Sequence, residues 1–203
     1  MISVKRSLVP ALTLLLVCAC AAPIAFAQQG PTLTAPRPSP KASVTQIIGV
    51  TDVTINYSRP AVKGRTIWGE PWGDDAKGEA TLDNQNTRPK GAPIVPWGHV
   101  WRAGANEATQ FIVTDDVLIN GQKLAAGKYS LHTIPTKEEW TIIFNKNWNQ
   151  WGAFNYKEAD DALRIKVKPS KAKAFSEKMT FTISQKGKVS LLWGDRQVDF
   201  NVQ

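Results

Sequence analysis

The chain has 203 residues, 42% of them hydrophobic and 21% charged, with a formal net charge of +8. That apolar share excludes a wholly disordered chain. One long apolar run, at the N-terminus, excludes a multi-pass helical membrane protein, and the length suits one domain or at most two.

The N-terminus reads as an export leader. Lys5 and Arg6 precede an apolar stretch from Leu8 to Ala22 that is short for a membrane helix, and Ala25-Phe26-Ala27 gives an A-x-A cleavage pattern. Residues 1–27 are therefore expected to form a signal peptide with a helical apolar part, which places the remainder in the periplasm or outside the cell. The rival reading is a lipoprotein signal with Cys20 lipidated, and the A-x-A site is the cleaner match. Both cysteines, Cys18 and Cys20, lie in the leader, so cleavage after Ala27 leaves no disulfide, no thiolate metal site and no cysteine nucleophile. Residues 28–41, QQGPTLTAPRPSPK, are proline-rich without apolar periodicity and read as a linker.

From residue 42 to residue 203 the pattern is strand after strand. Val53, Ile55 and Tyr57 alternate with Thr54 and Asn56, the period of a half-buried strand. Phe111 and Val113 alternate with Gln110, Ile112 and Thr114 in the same way. Asn120-Gly121, two residues that accept positive φ, predicts a hairpin joining Val117–Ile119 to Gln122–Leu124. Gly127 opens a strand that Pro135 stops, and Trp140–Asn145 returns from the polar loop Thr136–Glu139. If that loop is tight, Pro135 faces Trp140, Leu131 pairs with Phe144, His132 with Ile143 and Ser130 with Asn145. Tyr129, Leu131, Ile142 and Phe144 then share the core face, while Ser130, His132 and Asn145 share the other. Further strands are expected at Leu163–Val167, Thr180–Ser184, Val189–Trp193 and Val198–Val202, with turns at 186–188 and 194–197. Short strands at this spacing predict an all-β fold, a single antiparallel β-sandwich of jelly-roll or immunoglobulin type. Glu70–Pro96 is a long polar loop, and Asn147–Ala162 holds Trp148, Trp151, Phe154 and Tyr156 with a short helix near its end.

Several stretches carry a resemblance: YSRPAVKGRTIWG at 57–69, PWGHVWRAGANEAT at 96–109, LAAGKYSLHTIP at 124–135 and WTIIFN at 140–145. In this set and order they resemble a family of secreted bacterial proteins catalogued as domain-of-unknown-function family 2911, over about Ala42 to Val202. The WRxGANExT core is the most specific part. The resemblance implies a secreted, β-rich single domain and brings no established activity. Glu70–Pro96 is longer than the family's usual link between its KGR and WR motifs.

The run from Arg102 to Glu107 is a short polar arch between hydrophobic anchors, the way a loop presents side chains to a ligand. Arg102 offers a planar fork for a carboxylate, phosphate or sugar hydroxyl, Asn106 donates and accepts, and Glu107 supplies an acid, a base or an ion-pair partner. The same residues would serve equally as a network that pins a loop. Arg59, before Pro60, and Arg65, after Gly64, either line the same pocket or brace it. His132 is a candidate general base, set against a half-exposed strand histidine, and Asn145 is a further candidate binding residue. Two histidines and scattered carboxylates lack the spacing of a zinc or calcium site, so neither metal nor cofactor is expected. Trp140 and Trp193 read as core; Trp68, Trp72, Trp148 and Trp151 lie in loop-like stretches that suit either sugar stacking or plugging the ends of a sandwich. Arg164, Lys166 and Lys168 form a basic stripe, continued by Lys171, Lys173 and Lys178, that suits an anionic envelope polymer or a lysine-protected edge strand. Nucleic-acid motifs are absent.

The leading expectation is an envelope binding module for a carbohydrate or an anionic polymer, through Arg102, Asn106, Glu107, Arg59, Arg65, His132 and Asn145. The alternatives are a hydrolase using Glu107 and His132, without a nucleophile elbow or paired catalytic carboxylates to support it, and a structural envelope protein with no small ligand.

Overall fold

Period-two alternation builds the first hairpin. Across β1 (Lys41–Ile48) and β2 (Thr51–Ser58), Val53, Ile55 and Tyr57 turn into the core while Asp52, Thr54 and Asn56 turn out. In the computed structural model, which describes residues 35–71 and 91–203, the fold is the unit Pro36–Gln203. The unit Met1–Ala35 carries the expected signal peptide and most of the linker; apart from Ala35 it lies outside the described residues. Trp72 lies outside them too.

The remaining main strands are β5 (Thr109–Val113), β8 (Gly127–Pro135), β9 (Trp140–Asn145) and β10 (Asp161–Val167), with short pairs β3 (Trp68–Gly69) with β4 (Val95–Pro96) and β6 (Val117–Ile119) with β7 (Gln122–Leu124). A six-stranded antiparallel sheet runs β1-β2-β5-β8-β9-β10. Two long strands, β11 (Ser170–Ile183) and β12 (Lys188–Asn201), form a hairpin whose Met179, Phe181, Ile183, Val189, Leu191 and Trp193 share one core with Val53, Ile55, Phe111, Leu131, Ile142 and Phe144 of the large sheet. The expected all-β sandwich is therefore present. Its large sheet is wired as a meander, each main strand bonded to the one before, whereas a jelly roll or immunoglobulin domain passes strands across between sheets.

Two hairpins form as read from sequence. Asn120 and Gly121 both take positive φ and set Val117 opposite Leu124. Across β8 and β9, Pro135 faces Trp140, Leu131 faces Phe144, His132 faces Ile143 and Ser130 faces Asn145. The expected helix near Lys157–Ala162 is one 3-10 turn, Glu158–Asp160.

The expected turn at 194–197 is a correction. β12 runs straight through it, and Gly194 takes φ +63° opposite Ser176, where the register of the pair shifts. Here glycine makes a bulge that bends a long strand instead of ending it. Trp68 is a second revision of emphasis. It lies in β3 and packs edge-on to Trp101, Trp140 and Trp193 and parallel to Trp97, so it joins the core cluster. Val95–Pro96, at the end of the long 70–96 loop, pairs in parallel with Trp68–Gly69.

Candidate functional site

The six strands align one residue each into a row on the outer face of the large sheet. Ser43 faces Asn56, Asn56 faces Gln110, Gln110 faces Ser130, Ser130 faces Asn145, and Asn145 faces Asp161. Each of these residues sits at an outward position of its own strand, so register alone makes the row.

The segment 147–156 divides the row in two. It docks through the amide of Ala108 donating to the Gln150 carbonyl at 3.0 Å and the amide of Gly152 donating to the Asn106 carbonyl at 3.0 Å. Beneath it Ser130, His132 and Asn145 have no solvent exposure. His132 Nε2 lies 3.0 Å from Ser130 Oγ, and Gln150 Nε2 donates to the same oxygen at 3.3 Å. The sequence reading left His132 half-exposed; the structure buries it under this loop, and burial pushes its pKa down to about 4, with Asp161 opposing and Arg102 assisting. Asn145 is occupied internally: its Nδ2 donates to the Lys157 carbonyl and to Asp161 Oδ1, and its Oδ1 accepts from the amide of Asn147. Asp161 also accepts from Tyr156 and Arg164.

The other half of the row is open. Ser43, Asn56 and Gln110 floor a groove of about 620 Å³, with Lys41, Ser58, Glu107, Asn149 and Gln150 on its walls. A backbone bridge joins Glu107 to Trp151, a residue that is 52% exposed. Glu107 accepts from Arg37 Nη1 at 2.8 and 2.9 Å and pairs with Lys41 Nζ at 3.2 Å. Burial acts to raise its pKa, but hydrogen bonds from Arg37, from backbone and from Lys41, with the Lys41 charge, bring it down to about 2. Its carboxylate is thus ionised at neutral pH and has no proton to donate.

The expected site residues separate. Glu107 stands on the groove wall, while Asn106 beside it takes positive φ and donates to the Ser39 carbonyl at 3.3 Å. Arg102 is buried under the 147–156 segment: its Nε donates to the Gly104 carbonyl, and a Cβ at Gly152 would stand 3.1 Å from its Nη1. Desolvation lowers its pKa to about 10 against the raising influence of Glu107. Arg59 braces the fold, donating to the Met179 carbonyl and to Thr180 Oγ1 on β11. Arg65 donates to the carbonyls of Val62 and Ala61 and lines a separate pocket with Trp97, Phe175 and Arg196. In the basic stripe, Arg164 pairs with Asp161 and Glu158, and Lys166 pairs with Glu139. Among the described residues no three His, Cys, Asp or Glu side chains are grouped to hold a metal, and no helix is long and apolar enough to cross a membrane, which says nothing of β-barrels.

Sequence reasoning did not single out Asn56, Gln110, Gln150 or Ser43 as site residues. Alternation marked Asn56 and Gln110 as outward-facing, but nothing local showed that they stand side by side. A family model described as "Protein of unknown function (DUF2911)" matches residues 39–202. No curated protein and no solved structure matches the chain.

Proposed function

We propose, for a chain that belongs to the DUF2911 family of proteins of unknown function, the role of an exported carbohydrate-binding module of the cell envelope. The observation that carries this reading is the groove floor. Ser43, Asn56 and Gln110 offer a hydroxyl and two amides in a line, and Asn149 adds a third amide at the wall. Neutral groups that both donate and accept match sugar hydroxyls, and they bind without the desolvation cost of charge. Trp151, exposed and joined to Glu107 by the backbone bridge, carries an apolar ring of the kind that covers sugar C–H groups. The export leader read at residues 1–27 supports the compartment.

An anionic ligand has less support, because the groove floor of Ser43, Asn56 and Gln110 carries no cation and Lys41 on the wall stands beside the Glu107 carboxylate. A hydrolase built on Glu107 and His132 also has less. The first is held ionised by cations, and the second is enclosed beside Ser130 and Gln150.

The test is thermal melting of the protein against a panel of neutral oligosaccharides. A ligand that binds only the native state raises the melting temperature. At least one neutral oligosaccharide is expected to give a saturable rise that Gln110→Ala and Asn56→Ala each abolish while melting cooperatively on their own. No rise across the panel, or a rise that persists in both variants, rejects the reading.

A further inference from the structure

Among the described residues, Glu107 is the one carboxylate on a groove wall that also carries Lys41, which pairs with it at 3.2 Å, and the chain's own arm covers it. Arg37 reaches it from Pro36–Pro40, an arm that two hydrogen bonds tie to the described residues, Asn106 Nδ2 to the Ser39 carbonyl at 3.3 Å and the Arg59 amide to the Pro40 carbonyl at 2.8 Å. A single nitrogen of Arg37, Nη1, serves both carboxylate oxygens, so the fork-to-fork geometry that makes arginine pairs strong is not used. Both partners face water, the Arg37 side chain 44% and the Glu107 side chain 34% exposed. Ion pairs this open are worth little and exchange readily.

We propose that the groove binds an amino sugar, whose ammonium takes the place of Arg37 on Glu107 while its hydroxyls lie along Ser43, Asn56 and Gln110. This rests on the carbohydrate reading of the groove and adds the ligand's charge. The arm is then a weak built-in competitor that the ligand displaces. One feature points the same way. The carboxylate belongs to the groove wall and already accepts a cationic nitrogen, so a ligand ammonium meets a site of the right sign and hydrogen-bonding capacity. The protein as a whole carries +8, so its overall field repels a polycation. A preference for one must therefore come from the local carboxylate.

The experiment compares a glucosamine tetramer with its fully N-acetylated counterpart by calorimetry, on the full chain at about pH 6, where a primary amine is charged. The expected result is tighter binding of the glucosamine tetramer than of the N-acetylated one. Arg37→Ala is expected to tighten the glucosamine tetramer further, about two- to fivefold, because it removes an exposed competing pair. Glu107→Gln is expected to erase the preference between the two tetramers. Equal affinity for both tetramers in the native protein overturns the amino-sugar inference and leaves the carbohydrate reading standing. Unchanged or weaker glucosamine binding in Arg37→Ala overturns displacement of the arm. Binding of neither tetramer rejects this inference, and the wider panel of neutral oligosaccharides then decides the carbohydrate reading by itself.

Discussion

The imidazole of His132 is sealed between Ser130, Gln150 and Tyr156, whose ring centre lies 5.2 Å away. Burial sets its folded pKa at about 4 against an ordinary 6.5. On acidification the unfolded chain takes up this proton first, so the native state binds fewer protons and loses stability as pH falls. The contribution is complete above about pH 6.5 and drains away toward pH 4, by on the order of 3 kcal/mol. Glu107, with its pKa lowered to about 2, adds its own loss only further down, from about pH 4.5. Urea titrations at pH 7 and 5 are expected to show a clear drop in midpoint for the native protein and a much smaller one for His132→Gln. An equal drop in both would show that His132 is not the group responsible. Arg102 makes a second case. Its guanidinium is buried against Gly152 and bonded to the Gly104 carbonyl, so Arg102→Ala strips polar partners inside the fold. A loss of about 2 kcal/mol or more in urea denaturation is expected. A variant as stable as the native protein would free Arg102 for the ligand role that its place in the motif suggested. Neither burial was legible from sequence, because alternation assigns a side chain to a face without saying what covers that face.

At the scale of elements, β12 shows how one residue separates two readings of the same segment. Gly194 followed by Asp195, Arg196 and Gln197 has the composition of a turn, and residues on either side alternate as strands. The structure keeps one strand, because β11 opposite is equally long and absorbs the irregularity as register shifts. A Cβ at Gly194 would stand 2.6 Å from Ile67 Cδ1, in addition to the strain of a positive φ. Gly194→Ala is therefore expected to cost about 1–3 kcal/mol. Gly49, in the β1–β2 turn with φ +64° and open space around it, is expected to cost only the conformational part, about 1 kcal/mol. Denaturation midpoints of the two alanine variants check this, and equal midpoints would show that contact with Ile67 adds nothing. By contrast, both short hairpins were readable locally. Their loops are short enough that turn chemistry fixes the register, and β8 and β9 then follow residue by residue.

For the whole molecule, the aromatic cluster and the groove lie on opposite faces of the large sheet. Trp101, Trp140 and Trp193 lie in the core, with Trp68 packed against all three. Trp193→Ala is expected to cost about 3–5 kcal/mol, since the hairpin loses a large, fully buried side chain. Near-UV circular dichroism should report the broken ring packing, and the fraction still native should retain the groove. A small cost would mean that the cluster merely fills space at the end of the sandwich. The sequence by itself determined the centres of most main strands, the two hairpin registers, the all-β class and the family, because side-chain period and turn chemistry are local properties carried by a few neighbouring residues. Only the tertiary structure decided that Ser43, Asn56, Gln110, Ser130, Asn145 and Asp161 form one row, that the 147–156 segment closes half of it, and that Arg37 rests on Glu107. Lateral alignment depends on pairings between residues far apart in the chain, and burial depends on which loop packs over which face. Neither quantity is contained in any single stretch of sequence.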